Sequence, residues 1–355
     1  MEKNEELLIH PFSDQGFARL VELSETTYHG REISDQVYLG WEYIQNPDGL
    51  ALITTGEIER KIVSQYIILP RSFSVDNKIL KGSVSVNTLT HPHYRGKGLF
   101  EKLANETFDR CKEKEILFTI GFPNPISHPF IERKQIFETI GYLPLLFRPL
   151  NPIRLLIRYI KNKRDKTGNE IELNITDQIL SANAEISFFD FKTDSDKYEI
   201  FLQKFNKEKQ NVTMRSLQFL RWRYVNIPNR KYHLIKLEIG NEIKAIAVFR
   251  SKYMFGLRSG ILIDLISHIN LKEIKYLLDT LHKIAIKNKL DLIFATLPAN
   301  SFEFKILKNS GFYLMPQFFL PQKLPFIVKR QLPSCPEHVT DFRKWFLTFG
   351  DYDIL

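Results

Sequence analysis

The chain has 355 residues, 43% of them hydrophobic and 26% charged, with a formal net charge of +9. That length accommodates two domains with cores of their own, and that balance excludes a disordered or fibrous chain. Its two cysteines, Cys111 and Cys335, lie far apart without His or Cys at ligand spacing, so neither a disulfide framework nor a metal site is expected.

The opening residues, Met1 to Glu6, lack the basic and apolar regions of a secretion signal, and no apolar run approaches a membrane span. A cytoplasmic protein is expected. Lysines and arginines are scattered along the chain with no motif that reads nucleic acid, so nucleic acid is not the expected partner.

In chain order, the first distinctive stretch is Tyr38-Leu-Gly-Trp41-Glu-Tyr43-Ile-Gln-Asn-Pro47. It returns as Phe219-Leu-Arg-Trp222-Arg-Tyr224-Val-Asn-Ile-Pro228, sharing Leu-x-Trp-x-Tyr-x-x-x-Pro. Behind each copy comes the same succession: alternating strand-like segments, a long amphipathic helix, an apolar strand ending near an Asn (Ile116 to Asn124, Leu292 to Asn300), then a Gly-aromatic turn into another strand. This is a duplication, and it predicts two mixed α/β units. Because the Trp and Tyr recur in both copies, they are read as packing residues.

Gly82 to Leu89 alternates as a strand, and Leu99 to Cys111 has the three-to-four-residue apolar spacing of a helix. Between them runs Thr90-His-Pro-His-Tyr-Arg-Gly-Lys-Gly-Leu-Phe100. At such a junction the amides of Tyr94 to Leu99 can face one concavity, the helix start favours an anion, and Gly96 and Gly98 permit close approach. Arg95 and Lys97 add cations suited to a diphosphate. The glycine spacing fits neither a P-loop nor the Gly-x-Gly-x-x-Gly of dinucleotide folds, whose third glycine would fall at Glu101.

The string Pro92-His-Tyr-Arg-Gly-Lys-Gly-Leu after a strand resembles the acyl-CoA-binding motif of the GNAT acyltransferase superfamily. The resemblance spans both halves in segment order and is tight over residues 84–145. It implies acetyl-CoA as acyl donor, its pantetheine held by Val86, Asn87, Thr88 and Leu89, and its pyrophosphate by Tyr94, Arg95, Gly96, Lys97, Gly98 and Leu99. It also implies direct transfer to a small amine acceptor without metal or redox cofactor. A looser likeness, to acetyltransferases of bacterial surface-polysaccharide gene clusters, suggests an amino sugar as that acceptor.

The expected organisation is α/β: a GNAT acyl-CoA-binding catalytic domain over 1–150, a basic linker over 151–175, and a degenerate GNAT-like domain over 176–355. The place of the glycine loop in the second half reads Leu262-Ile-Asp-Leu-Ile-Ser-His-Ile-Asn-Leu-Lys-Glu-Ile274, with no glycine pair and no arginine. In the linker, Pro152 to Ile160 is basic and apolar together. That composition suits a weak peripheral membrane contact or a short helix docked between the halves, and docking is the expected reading.

Catalytic residues are harder to read. The resemblance implies a carboxylate on the strand before the loop and a Tyr four residues before the Gly-aromatic turn. Here the strand reads Val84-Ser85-Val86-Asn87-Thr88 and Phe137 precedes Gly141. Asn87 can orient a water but cannot take a proton near neutral pH. His128, at the expected start of a helix, is the candidate base, although such a histidine also suits solvent. Ser127 and Asn124 suit either the CoA arm or a helix cap. The tail, Trp345 to Leu355, reads as a strand-like run ending in Asp351, Asp353 and the terminal carboxylate; its two readings are a frayed end and a base delivered to the first domain. Rival functions are a non-catalytic acyl-CoA-binding scaffold and a tRNA-dependent aminoacyl transferase.

Overall fold

The computed structural model describes residues 6–13, 16–28, 31–162, 168–176, 186–268, 272–316, 320 and 322–352. The first half supplies β1 (Leu8–Pro11), α1 (Ala18–Glu25), α2 (Gln36–Tyr43), β2 (Leu52–Ile58), β3 (Lys61–Val75), β4 (Lys78–Thr90), α3 (Leu99–Glu113), β5 (Phe118–Gly121), α4 (His128–Arg133), β6 (Glu138–Tyr142) and β7 (Leu145–Pro149). After α5 (Pro152–Asn162), the second half begins with β8 (Ile186–Phe188), α6 (Ser195–Glu208), β9 (Asn211–Thr213), α7 (Leu217–Tyr224), β10 (His233–Ile239), β11 (Glu242–Met254) and β12 (Leu257–Ser267). It ends with α8 (Ile274–Lys287), β13 (Leu292–Thr296), α9 (Phe302–Asn309), β14 (Tyr313–Leu314), β15 (Pro325–Arg330) and β16 (Trp345–Phe346).

The fold is mixed α/β in two sheets. The first runs β1-β2-β3-β4-β5-β15-β6, with β9 on β3 and β16 on β9; the second runs β14-β7-β13-β12-β11-β10-β8. Each holds one parallel pair from its own half, β4 with β5 and β12 with β13. The helices form for ordinary reasons. In α3, Leu99, Leu103, Ala104, Phe108 and Cys111 make one buried stripe, so the thiol of Cys111 is a core group whose burial pushes its pKa up to about 12.

The order of strands shows what periodicity alone cannot. β15 lies between β5 and β6 in the first sheet, whereas β7 lies between β13 and β14 in the second. The two repeats have exchanged their last strands. The expected break after residue 150 thus falls just beyond a strand that pairs in the second sheet. Leu146 of β7 and Phe326 of β15 are both fully buried by the exchange, each contributing roughly 1.5–3 kcal/mol of apolar burial. Neither half closes its sheet without the other.

The duplicated motif marks the centre of this arrangement. Trp41 Nε1 donates to Trp222 O at 2.9 Å, Trp222 Nε1 donates to Trp41 O at 3.0 Å, and the rings stack with centroids 4.7 Å apart. A reciprocal pair of this kind sits on an approximate two-fold axis relating the repeats. Both indole N–H groups are buried and satisfied, which is what the packing role of the repeated Trp requires.

Candidate active site

β4 and β5 pair in parallel only from Ser83↔Thr119 to Ser85↔Gly121. Beyond Ser85, β4 continues to Thr90 while the chain leaves β5, so Val86 to Leu89 face an opening that β5 no longer covers. On its other side β4 is irregular. Gln65 pairs with Leu89 and Ile67 with Val86, so Asn87 and Thr88 together oppose Tyr66, and Asn87 takes a left-handed φ of 47°. A bulge leaves a backbone amide outside the ladder and re-aims its neighbours.

The loop after β4 is built as its sequence implies. Pro92 to Tyr94 make one helical turn, closed by the Tyr94 amide donating to His91 O at 2.9 Å. Gly96 and Gly98 have φ of 79° and 75°, and a Cβ at either would meet nothing within 4 Å. Gly98 is the N-cap of α3, and no side chain caps that end, so the first-turn amides are available to an anion. Arg95 folds back, its Nε donating to Thr90 O at 3.1 Å, and Lys97 Nζ lies 4.9 Å from the Tyr94 ring centre. Partial burial, with the charges of His93 and Arg95, holds His91 below the ordinary imidazole value. The buried Leu99 anchors the turn from beneath.

Asn87 brings in two residues that the sequence reading had assigned no role in chemistry. Its Nδ2 donates to Glu42 Oε2 at 2.6 Å and to Tyr43 Oη at 2.9 Å, while Gln65 Nε2 donates to Asn87 O at 2.9 Å. Glu42 is only 1% exposed. Hydrogen bonds therefore connect a buried carboxylate on α2 to the bulge of β4. The two acceptors on Nδ2 also fix the amide, turning Oδ1 the other way.

The remaining candidates lie elsewhere. Asn124 Oδ1 accepts from the amides of Ile126 and Ser127, both at 2.9 Å, and from Ser127 Oγ at 3.2 Å, so these residues spend their polar atoms on the turn into α4. His128 Nε2 lies 3.0 Å from Thr139 Oγ1 on β6 and 3.4 Å from Glu132 Oε1. In the sheet order β5 and β15 stand between β6 and β4, so His128 and Asn87 are not brought together.

In the second repeat, β12 and β13 part after Leu262↔Ala295. Here the opening is filled by the chain itself: the Gly350 amide donates to Ile263 O at 2.9 Å. Asp264 takes the place of Asn87, for the Tyr of the repeated motif meets both: Tyr224 Oη donates to Asp264 Oδ2 at 2.8 Å. Burial and that carboxylate push the Tyr224 hydroxyl well above its ordinary value, so it stays a donor. Arg215 donates from Nε to Asp264 Oδ2 and from Nη2 to Asp351 Oδ2, both at 2.8 Å, and Thr348 Oγ1 donates to Asp264 Oδ1 at 2.8 Å. Burial opposes the charge of Arg215, but the two carboxylates hold it well above the ordinary guanidinium value. Arg223 Nη2 holds Tyr352 O at 2.8 Å, and the Tyr352 ring packs on Phe122, just past β5, with centroids 4.9 Å apart. Asp353 and the terminal carboxylate lie outside the described residues.

Residues 9–139 match the family model of an acetyltransferase (GNAT) domain. The first half carries a GNAT acetyltransferase domain. Such a domain is an acyltransferase domain, and the match ends within β6, ahead of the exchanged strand. The fold of the whole chain is similar to solved structures. A GCN5-related N-acetyltransferase from Anabaena variabilis superposes with a TM-score of 0.62 at 10% identity, over 92% of this chain and 73% of that one. Saccharomyces cerevisiae N-myristoyltransferase, solved with bound myristoyl-CoA, gives 0.60 at 13% identity over 92% and 83%. A protein of unknown function from Enterococcus faecalis, described as a probable N-acyltransferase, gives 0.61 at 9% over 96% and 75%. No curated protein matches the sequence. At these identities the structural likeness is one of fold.

Proposed function

We propose that the chain is an acyl-CoA-dependent N-acyltransferase whose donor, acetyl-CoA, enters the opening between β4 and β5 of the first repeat. The observation that carries this reading is the parting of the two strands after Ser85↔Gly121, followed directly by a two-glycine loop onto the uncapped start of α3. The edge of Val86, Asn87, Thr88 and Leu89 that β5 leaves unpaired would hold the pantetheine by its backbone, and the amides of Tyr94 to Leu99, with Arg95 and Lys97, the pyrophosphate. The myristoyl-CoA of the yeast enzyme supports an acyl-CoA donor in a fold of this extent.

The amine nitrogen attacks the thioester carbon, the carbon–sulfur bond breaks, and CoA leaves as the thiolate, taking up a proton. Asn87 Oδ1, turned by Glu42 and Tyr43, would accept an N–H of the incoming amine, and an amide outside the β4 ladder would donate to the oxyanion. Glu42 would receive the proton that the amine gives up, through an ordered water. An amino sugar destined for a surface polysaccharide is our proposed acceptor class.

Titration calorimetry of acetyl-CoA and CoA into wild type and into a Gly96→Trp, Gly98→Trp variant tests the reading, with circular dichroism as the check on folding. Saturable binding at one site per chain, lost in the folded variant, is the expected result. Wild type that takes up neither ligand would overturn it.

A further inference from the structure

α5 follows the first repeat in the chain, and its described contacts with the rest of the protein come from Arg154 and Leu155. Leu155 packs on the core, and Arg154 donates to Asp291 Oδ1 at 2.8 Å and to Leu290 O at 2.5 Å. Among the described side chains, four aliphatics of the helix are not docked between the halves as its sequence had led us to expect. Ile153, Leu156, Ile157 and Ile160 are 73%, 58%, 48% and 68% exposed. Their spacing of i, i+3, i+4 and i+7 places them on one stripe, about 100° wide. No other helix among the described residues exposes so many large aliphatics. A protein that merely displayed this stripe to water would gain nothing for its cost in solubility.

Charge indicates what covers it. Besides Arg154, which Asp291 holds, residues 152–166 of α5 and the segment after it contain the cations Arg158, Lys161, Lys163, Arg164 and Lys166 against the single acid Asp165. Lys161 borders the same shallow groove as Ile153 and Ile157. A short helix with low net hydrophobicity, an aliphatic face and a surplus of cations is complementary to an anionic lipid surface, where the side chains enter the headgroup boundary and the cations meet phosphate. A soluble partner would have to supply an acidic rim around an apolar groove; a membrane supplies both without a specific fold. No helix among the described residues is long and apolar enough to cross a membrane, so the contact would be peripheral.

We propose that α5 docks the protein reversibly on membranes containing anionic lipids, through Ile153, Leu156, Ile157 and Ile160 with Lys161 beside them. This stands independently of the acyltransferase reading.

Flotation of the full chain with vesicles tests it, comparing phosphatidylcholine alone with a mixture containing phosphatidylglycerol. Wild type should float with the mixed vesicles and only weakly with phosphatidylcholine. An Ile153→Gln, Leu156→Gln, Ile157→Gln, Ile160→Gln variant, with unchanged circular dichroism, should lose at least about tenfold in partitioning. Lys161→Glu should lose a smaller factor, reduced further by added salt. Three results would overturn the proposal: no flotation with the mixed vesicles; equal flotation of wild type and the four-residue variant, which would assign binding to the overall charge; or a wild-type dimer by light scattering that the variant converts to monomer without any lipid binding, which would assign the face to a second copy.

Discussion

The two clefts of this molecule start from one plan and end as opposites. In each, a parallel strand pair parts, and the Tyr of the repeated motif meets a polar side chain on the longer strand: Tyr43 with Asn87, Tyr224 with Asp264. Beside the tyrosine stands Glu42 in the first repeat and Arg223 in the second. The first opening leads to a glycine loop and an uncapped helix. In the second that loop is absent, and Thr348 to Tyr352 occupy the opening, bonded to Ile263, Asp264, Arg215 and Arg223 among others. The second repeat thus differs from the first in two ways, a missing glycine loop and an opening that the chain itself fills. Leu347, Phe349 and Tyr352 of the tail are buried there, and their burial stabilises the fold.

The largest effect should come from breaking the filled cleft. Arg215→Met removes the cation that bridges Asp264 and Asp351, leaving two buried carboxylates without it, and should destabilise the protein by about 3–5 kcal/mol in urea unfolding. Removing the charge of Glu42, which accepts from the neutral amide of Asn87, should cost only about 1 kcal/mol in the same assay. Equal losses would mean that the first cleft is as much a structural cluster as the second.

In activity the order reverses. Glu42→Gln keeps the size of the side chain and the contacts of α2 but cannot take a proton. It should lower kcat about a hundredfold and remove the carboxylate limb of the pH–rate profile, while acyl-CoA affinity stays as in wild type. A fall in kcat with the pH limb retained would reduce Glu42 to a positioning residue for Asn87.

How far the sequence foretold this contrast depends on the kind of signal. The glycine loop was readable because φ near 75° is a local demand that glycine alone meets cheaply, and its neighbours on strand and helix were periodic. The duplication was readable from spacing, and the stacked Trp41 and Trp222 give its packing meaning. The exchange of β7 and β15 was not readable, since an apolar alternation says that a strand is buried but not in which sheet. Glu42 was hidden inside the repeated motif, where its neighbours Trp41 and Tyr43 pointed to packing. The tail has the pattern of a strand-like run, yet only Trp345 and Phe346 pair as a strand, and the turn through Gly350 is held both by its own Asp351 and by Asp264 and Arg215, far away in sequence.

That turn supplies a sharper test of how closely the second cleft is filled. A Cβ at Gly350 would lie 2.4 Å from Tyr224 Oη and 2.7 Å from Asp264 Oδ2. Both atoms are fixed in the buried network, so Gly350→Ala should cost roughly 1–3 kcal/mol by overpacking. Calorimetry on the same variant should still find one acyl-CoA per chain, because displacing the tail does not create a glycine loop. Two sites would show that the tail alone had closed the second cleft.

The smallest effect compares the repeats where their roles are still alike. Asp35 and Ser216 are the N-caps of α2 and α7, each one residue before the helix that carries the repeated motif. Asp35 Oδ1 accepts from the Val37 amide at 2.8 Å and Ser216 Oγ from the Phe219 amide at 3.1 Å. Ser216→Ala should cost about 1 kcal/mol in urea unfolding. Asp35→Ala should cost slightly more, about 1–2 kcal/mol, because Asp35 Oδ2 also accepts from Asn229 Nδ2 of the other repeat at 3.3 Å. In an Asn229→Ala background the two costs should become equal. If they do not, the contact across the repeats is not what separates them, and the difference lies in the charge that Asp35 places at the start of α2.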